Sequence, residues 1–185
     1  MWALVQDNEI QKVFIRPTAF TIGDTNYPQN VMSSWSATEL KDIGIYEVAV
    51  DNSNFKDKYY YINTNQTFTF ADDVVTATYG EATAKSLDDV NNEDGTITRG
   101  LKYNHKRDIN AEANGILMAT DWYVIREADG GTEMPTDINN HRTAVRTKAN
   151  EMCSLIDGVA NVDALAALYV YDKDGNRPLG EFPTL

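Results

Sequence analysis

The sequence predicts an α+β chain, an N-terminal antiparallel β domain followed by a C-terminal antiparallel helical hairpin. Three observations predict it. Short apolar runs with a period of two fill the first 80 residues. From about Leu101 the apolar period lengthens to about 3.6. Between them Asp88, Asp89, Glu93, Asp94 and Gly95 make a polar, turn-prone stretch. The expected organisation is a β-rich domain with one short helix over 1–87, an acidic linker over 88–97, and a helical hairpin domain with a short C-terminal tail over 98–185.

Trp2 to Gln6 and Ile10 to Arg16 read as a hairpin split by Asp7-Asn8-Glu9. Alternation places Ile10 with Phe14 on one face and Val13 with Ile15 on the other. Pro17 ends the second run because it cannot donate to a ladder. Ile22 to Pro28 reads as an irregular crossing. Ser36 and Glu39 form a capping box for a short helix, and Gly44 suits the left-handed residue after it. Strands are expected over Ile45–Val50, Lys58–Asn63, Gln66–Ala71 and Val74–Tyr79, with turns at Asn63-Thr64-Asn65 and Asp72-Asp73.

In the second half, Ile109, Ala113, Ile116, Leu117, Thr120 and Val124 share one helical face, and Gly130-Gly131 ends that helix. Ile138, Val145, Ala149, Met152 and Ile156 then recur at spacings of seven, four, three and four, up to Gly158. The short loop between these helices suits an antiparallel αα-hairpin. A short helix is expected around Val162 to Leu168, and Asp172 to Asn176 reads as a turn.

Composition narrows the function classes. Lys and Arg total 16 against 28 Asp and Glu, a net charge of −12. Nucleic acid and anionic membrane surfaces, which need clustered cations, are not expected partners. Cys153 is the single cysteine, so no intramolecular disulfide can form. The N-terminus lacks a basic start and a long apolar run, so synthesis and folding in a cytoplasm are expected.

Chemistry-bearing patterns are sparse. His105 and His141 lie 36 residues apart on polar helical segments and are expected to be solvated. Asp172-Lys173-Asp174-Gly175-Asn176 lacks the glycine and glutamate spacing of a calcium loop. Cys153 sits beside an apolar stripe and reads as a buried, inert thiol. Nucleophile elbows, phosphate loops and dinucleotide fingerprints are absent from the sequence. The expectation is a chain without enzymatic activity, metal or cofactor. Candidate partner-binding residues are aromatic and cationic. Tyr59 and Tyr61 are expected on one strand face, with Trp35 as a further aromatic. Trp122 and Tyr123 are about 100° apart on a helix, and Trp122 is expected to pack in the core or dock a domain. Arg142 and Arg146, four apart on one helical face, are expected to be wet or to pair with nearby acids.

Two stretches carry a resemblance. Leu117 to Arg126, with its Thr120-Asp121-Trp122 step, and then His141-Arg142-Thr143-Ala144-Val145-Arg146, resemble the helical C-terminal part of bacteriophage tail assembly chaperone-like proteins. The chain departs from that pattern with His141 where tyrosine is common, and with Val145-Arg146-Thr147. Arg16-Pro17-Thr18, Tyr27-Pro28-Gln29-Asn30, and the run from Trp35-Ser36 through Glu39-Leu40 to Ile43-Gly44-Ile45-Tyr46 are similar to the opening of small tail-fibre-associated proteins of marine phages. Together these cover most of the chain. The resemblance implies a non-enzymatic tail protein, either a virion-resident tail or fibre-attachment subunit or a tail-fibre assembly chaperone. It would be found in the virion tail, and in the host cytoplasm during assembly. Implied partners are phage tail or tail-fibre subunits, with a homo-oligomer as a further option. The alternative from the residues themselves is a glycan-binding, receptor-recognition module stacking sugars on Trp35, Tyr59 and Tyr61.

Overall fold

In the computed structural model, which describes residues 1–185, β1 (Trp2–Gln6) and β2 (Glu9–Phe14) pair antiparallel. Asp7 and Asn8 join them with φ of 52° and 62°. Two left-handed central residues are what a tight hairpin turn of matching twist needs. The register slips between Leu4 and Val5, where Val5 faces Ile10 and Leu4 faces Lys12. That bulge at Gln11 resets the alternation. Ile10 therefore packs with Val13 against Ala3, Val5 and Val75, while Phe14 turns to the opposite cluster. Simple alternation had joined Ile10 with Phe14; the extra residue overturns it.

The crossing expected at Ile22 to Pro28 is instead a small hairpin of β3 (Phe20–Ile22) and β4 (Thr25–Tyr27) around Gly23. Two short helices follow, α1 (Val31–Ser34) and α2 (Ala37–Asp42). Ser36 caps α2 as its sequence predicts: its backbone N–H donates to Glu39 Oε2 at 2.8 Å, and its hydroxyl accepts from Glu39 N at 3.3 Å. The bonds that the Ser36 N–H and hydroxyl donate to the Glu39 carboxyl hold it below its ordinary range.

β5 (Ile45–Asp51) returns beside β1. The strand expected from Lys58 shrinks to β6 (Tyr61–Ile62), because Lys58 to Tyr60 form a turn. β7 (Gln66–Ala71) and β8 (Val74–Tyr79) form a second tight hairpin over Asp72 and Asp73, both left-handed. The sheet order is β2-β1-β5-β8-β7. It is antiparallel except for the β5–β8 pair, which runs parallel. Leu4, Phe14 and Ile45 face α1 and α2 through Phe20, Val31, Met32 and Leu40. β9 (Thr83–Ala84) spans the division of the chain into two units, Met1–Thr83 and Ala84–Leu185.

The division falls before the expected linker, and the linker itself is folded. β10 (Val90–Asn91) and β11 (Ile97–Thr98) pair around Gly95. This stretch completes the N-terminus of α3 (Leu101–Met118). The Asp89 carboxylate accepts from Gly100 N at 2.8 Å, and Ser86 O and Leu87 O accept from the amides of Leu101 and Lys102. The first amides of a helix have no partner within it, and a carboxylate there also complements the helix dipole. The acidic run is thus a cap rather than a tether.

α4 (Asp121–Ala128), α5 (Thr136–Asp157) and α6 (Val162–Ala167) complete the second unit. α3 and α5 pack antiparallel, since Lys106 near the start of α3 pairs with Asp157 at the end of α5 at 2.6 Å. Buried along the two helices are Leu101, Ile109 and Ala113 of α3 and Ile138, Val145, Ala149, Met152 and Ile156 of α5; Leu165 and Leu179 are buried as well. Each fully buried aliphatic side chain contributes roughly 1.5–3 kcal/mol. The helical period predicts every apolar residue of this buried α5 stripe. No helix is long and apolar enough to cross a membrane.

Candidate functional site

The helix predicted to run from Leu101 to Gly130 is broken at Ala119-Thr120. Neither residue is a glycine or a proline. Three donors converge on the Leu117 carbonyl: Thr120 N at 3.0 Å, Thr120 Oγ1 at 3.0 Å and Arg142 Nη1 at 2.7 Å. In a continuous helix that carbonyl would accept from Asp121. A side chain inserted into the backbone ladder kinks a helix, and Arg142 does so here.

Arg142 is the centre of this elbow and is only 4% exposed. Its Nη1 also donates to Thr120 Oγ1 at 2.6 Å, and its Nη2 to Asp121 Oδ1 at 2.8 Å. Arg142 is therefore off the wet face and takes the other expected place, paired with a nearby acid, Asp121. Its position explains why: the α5 stripe leaves a gap of seven between Ile138 and Val145, and Arg142 fills it four residues on. Arg146 is exposed as expected, because four residues advance about 40° around the axis and carry it past the edge of the buried stripe.

Beyond the elbow, α4 buries none of its residues. Trp122 is 51% exposed, Ile125 68% and Met118, just before the elbow, 62%. Trp122 and Ile125 lie three apart on one helical face. The core reading of Trp122 fails here, because α4 swings away from the stripe that holds Ile109 and Ala113. Tyr123 is half-buried, with its ring centroid 3.7 Å from that of Trp122. Arg126 lies over both rings, 5.0 and 5.1 Å from their centroids. Its Nε and Nη2 donate to the carbonyls of Thr132 and Glu133 at 3.1 Å. The aromatic pair is held from behind while its outer surface stays open.

The aromatics of the first unit do not make a comparable surface. Tyr61 is 9% exposed and lies under Lys56 Nζ, 4.3 Å from its ring centroid. Tyr59 is exposed and packs edge-on against Tyr60. The pair expected on one strand face is thus divided between a turn and the interior, and Tyr61 cannot serve as a stacking platform. Trp35 is partly exposed and meets Tyr27 edge-on at 6.1 Å.

Other polar groups serve the fold. His105, expected in solvent, is buried on the α3 stripe four residues from both Leu101 and Ile109. Its Nδ1 lies 2.6 Å from Tyr169 Oη, and burial keeps the ring below its ordinary pKa near 6.5. Cys153 is half-buried, and burial pushes its thiol up. No group of three or more His, Cys, Asp or Glu side chains is placed to hold a metal ion. An open groove of about 480 Å³ runs along α5 past Thr143, Thr147 and Lys148, bordered by Glu181 and Pro183. Compared with known proteins, the chain matches no family model, no curated protein and no solved structure.

Proposed function

We propose that this chain is a non-enzymatic bacteriophage tail protein that acts by protein–protein contact. It is either a virion-resident tail or fibre-attachment subunit or a tail-fibre assembly chaperone. The observation that carries the contact reading is α4, an amphipathic helix that buries no residue and holds out Trp122 and Ile125 on a braced elbow. Exposed apolar clusters rimmed by polar residues mark interaction sites, and tryptophan is among the residues that dominate such contacts. The tail assignment is supported by the sequence resemblance around Thr120-Asp121-Trp122 and from Trp35 to Tyr46.

Mass spectrometry of purified particles, paired with deletion of the gene, tests this reading. Stoichiometric presence in the particle gives the resident subunit. Absence from the particle, with loss of fibres or tails on deletion, gives the chaperone. Absence from the particle with normal tails on deletion overturns both.

A further inference from the structure

We propose that α4 inserts into an apolar groove whose rim carries Lys or Arg on a different protein; this rests on the contact reading above and names its partner's chemistry. Two features of α4 choose the occupant. The first is charge. Between Glu127 and Asp137 stand four exposed carboxylates, Glu127, Asp129, Glu133 and Asp137, and no cation, while Asp121 is paired with Arg142. The one cation of α4, Arg126, is turned back onto Trp122, Tyr123 and the carbonyls of Thr132 and Glu133. The exposed apolar residues of α4 therefore belong to an acidic segment, within a chain of net charge −12. A cationic rim is complementary to it, and an acidic one is repelled.

The second feature is shape. An eight-residue helix is about 12 Å long and convex. Two copies laid side by side would touch along one ridge and bury roughly a few hundred Å², short of the ~1,200 Å² of a stable interface. They would also bring eight unpaired carboxylates together, four from each copy. A groove wraps the helix on several sides and takes in Trp122, Ile125, Val124 and Met118, all exposed. Presenting apolar anchors at helical spacing to a groove is an established mode of helix recognition. An anionic lipid surface would meet the same repulsion as a second copy.

Site-directed photocrosslinking on the full chain tests this. A benzophenone amino acid replaces Ile125, and separately Asn150 on the exposed face of α5, in cells that assemble the particle. Crosslinked peptides are identified by mass spectrometry. Position 125 should give an adduct with another protein, on apolar residues with Lys or Arg close by, at least ten times stronger than at 150. Reversing Glu127 and Asp129 to lysine should cut that adduct at least fivefold. Adducts to a second copy, to lipid, to an acidic surface or equally at both positions overturn the proposal, as does the lack of any adduct. A cationic groove on a protein foreign to tails keeps this inference and removes the tail reading. Stoichiometric presence in virions with a self-adduct at 125 does the reverse.

Discussion

Replacing Arg142 tests whether one buried cation sets the elbow. Its three hydrogen bonds, at 2.7, 2.6 and 2.8 Å, each involve a charged donor. Such bonds are worth roughly 1.5–3 kcal/mol apiece, so a simple sum exceeds the true effect. Three considerations reduce it. Thr120 Oγ1 and the Leu117 carbonyl keep each other at 3.0 Å when the arginine is gone. Asp121 is 48% exposed on its side chain and regains water. Removing the guanidinium also removes the desolvation it suffers on burial. Arg142→Ala should therefore destabilise the second unit by about 2–4 kcal/mol, including lost packing of the stem. That corresponds to about 10–20 °C in melting temperature for a unit of this size. Arg142→Met keeps the stem volume and should cost about half as much. Thermal melts by circular dichroism and amide exchange of α5 measure the loss, and the amides of α4 should lose protection first. A cycle with Thr120→Val should show at least about 1 kcal/mol of coupling. A change under about 0.5 kcal/mol for Arg142→Ala, or strict additivity with Thr120→Val, refutes the clamp.

Burial keeps His105 neutral, so the unfolded chain takes the proton first as pH falls below its ordinary pKa near 6.5. Stability of the second unit should be full above that value and decline below it, toward the lower folded pKa; nearby Asp108 opposes the shift and softens the decline. Melts of His105→Gln between pH 7.5 and 5 should show a flatter slope, and an unchanged slope counts against the assignment. Gly44 has φ of +81°, and a Cβ there would lie 2.7 Å from the Val5 carbonyl. Gly44→Ala should thus cost the first unit more than about 2 kcal/mol in urea titration. At Asn8, φ of 62° is left-handed, so Asn8→Gly should be neutral or raise stability by up to about 1 kcal/mol; a loss above that would show that the Asn8 side chain matters to the turn.

The sequence displayed elements whose cause is local and concealed those whose cause is not. The capping box at Ser36, the turn at Asp72-Asp73 and the α5 stripe arise from residues a few positions apart, and each formed where its pattern stood. The bulge at Gln11 was hidden because one inserted residue is invisible to a two-residue period until the partner strand is known. Polarity assigned His105 to solvent and Arg142 to solvent or an acid partner, while spacing puts both on the apolar stripes. At both positions the gap in the stripe was the better signal. The Arg142 part of the break at Thr120 could not be read locally, since that donor comes from 22 residues further along the chain. Of the candidate contact residues, the fold gathers Trp122, Tyr123 and Arg142 at the elbow. Trp35, Tyr59, Tyr61 and Arg146 lie outside it.

The elbow exchanges one backbone bond at Leu117, that from Asp121, for one from Thr120 N and two from side chains, and it buries a guanidinium. The helix it redirects buries nothing. If α4 exists for contact, its outer side chains are dispensable for stability and needed for assembly. Trp122→Ser with Ile125→Ser should therefore change the melting of the second unit by less than about 1 kcal/mol, the loss of the Arg126 stack included. The same pair should abolish incorporation into particles or, for a chaperone, fibre assembly. If these variants instead unfold the unit by more than about 2 kcal/mol, Trp122 and Ile125 belong to its core energetics. The exposed face of α4 then carries no contact, and the case for a docking helix falls with it.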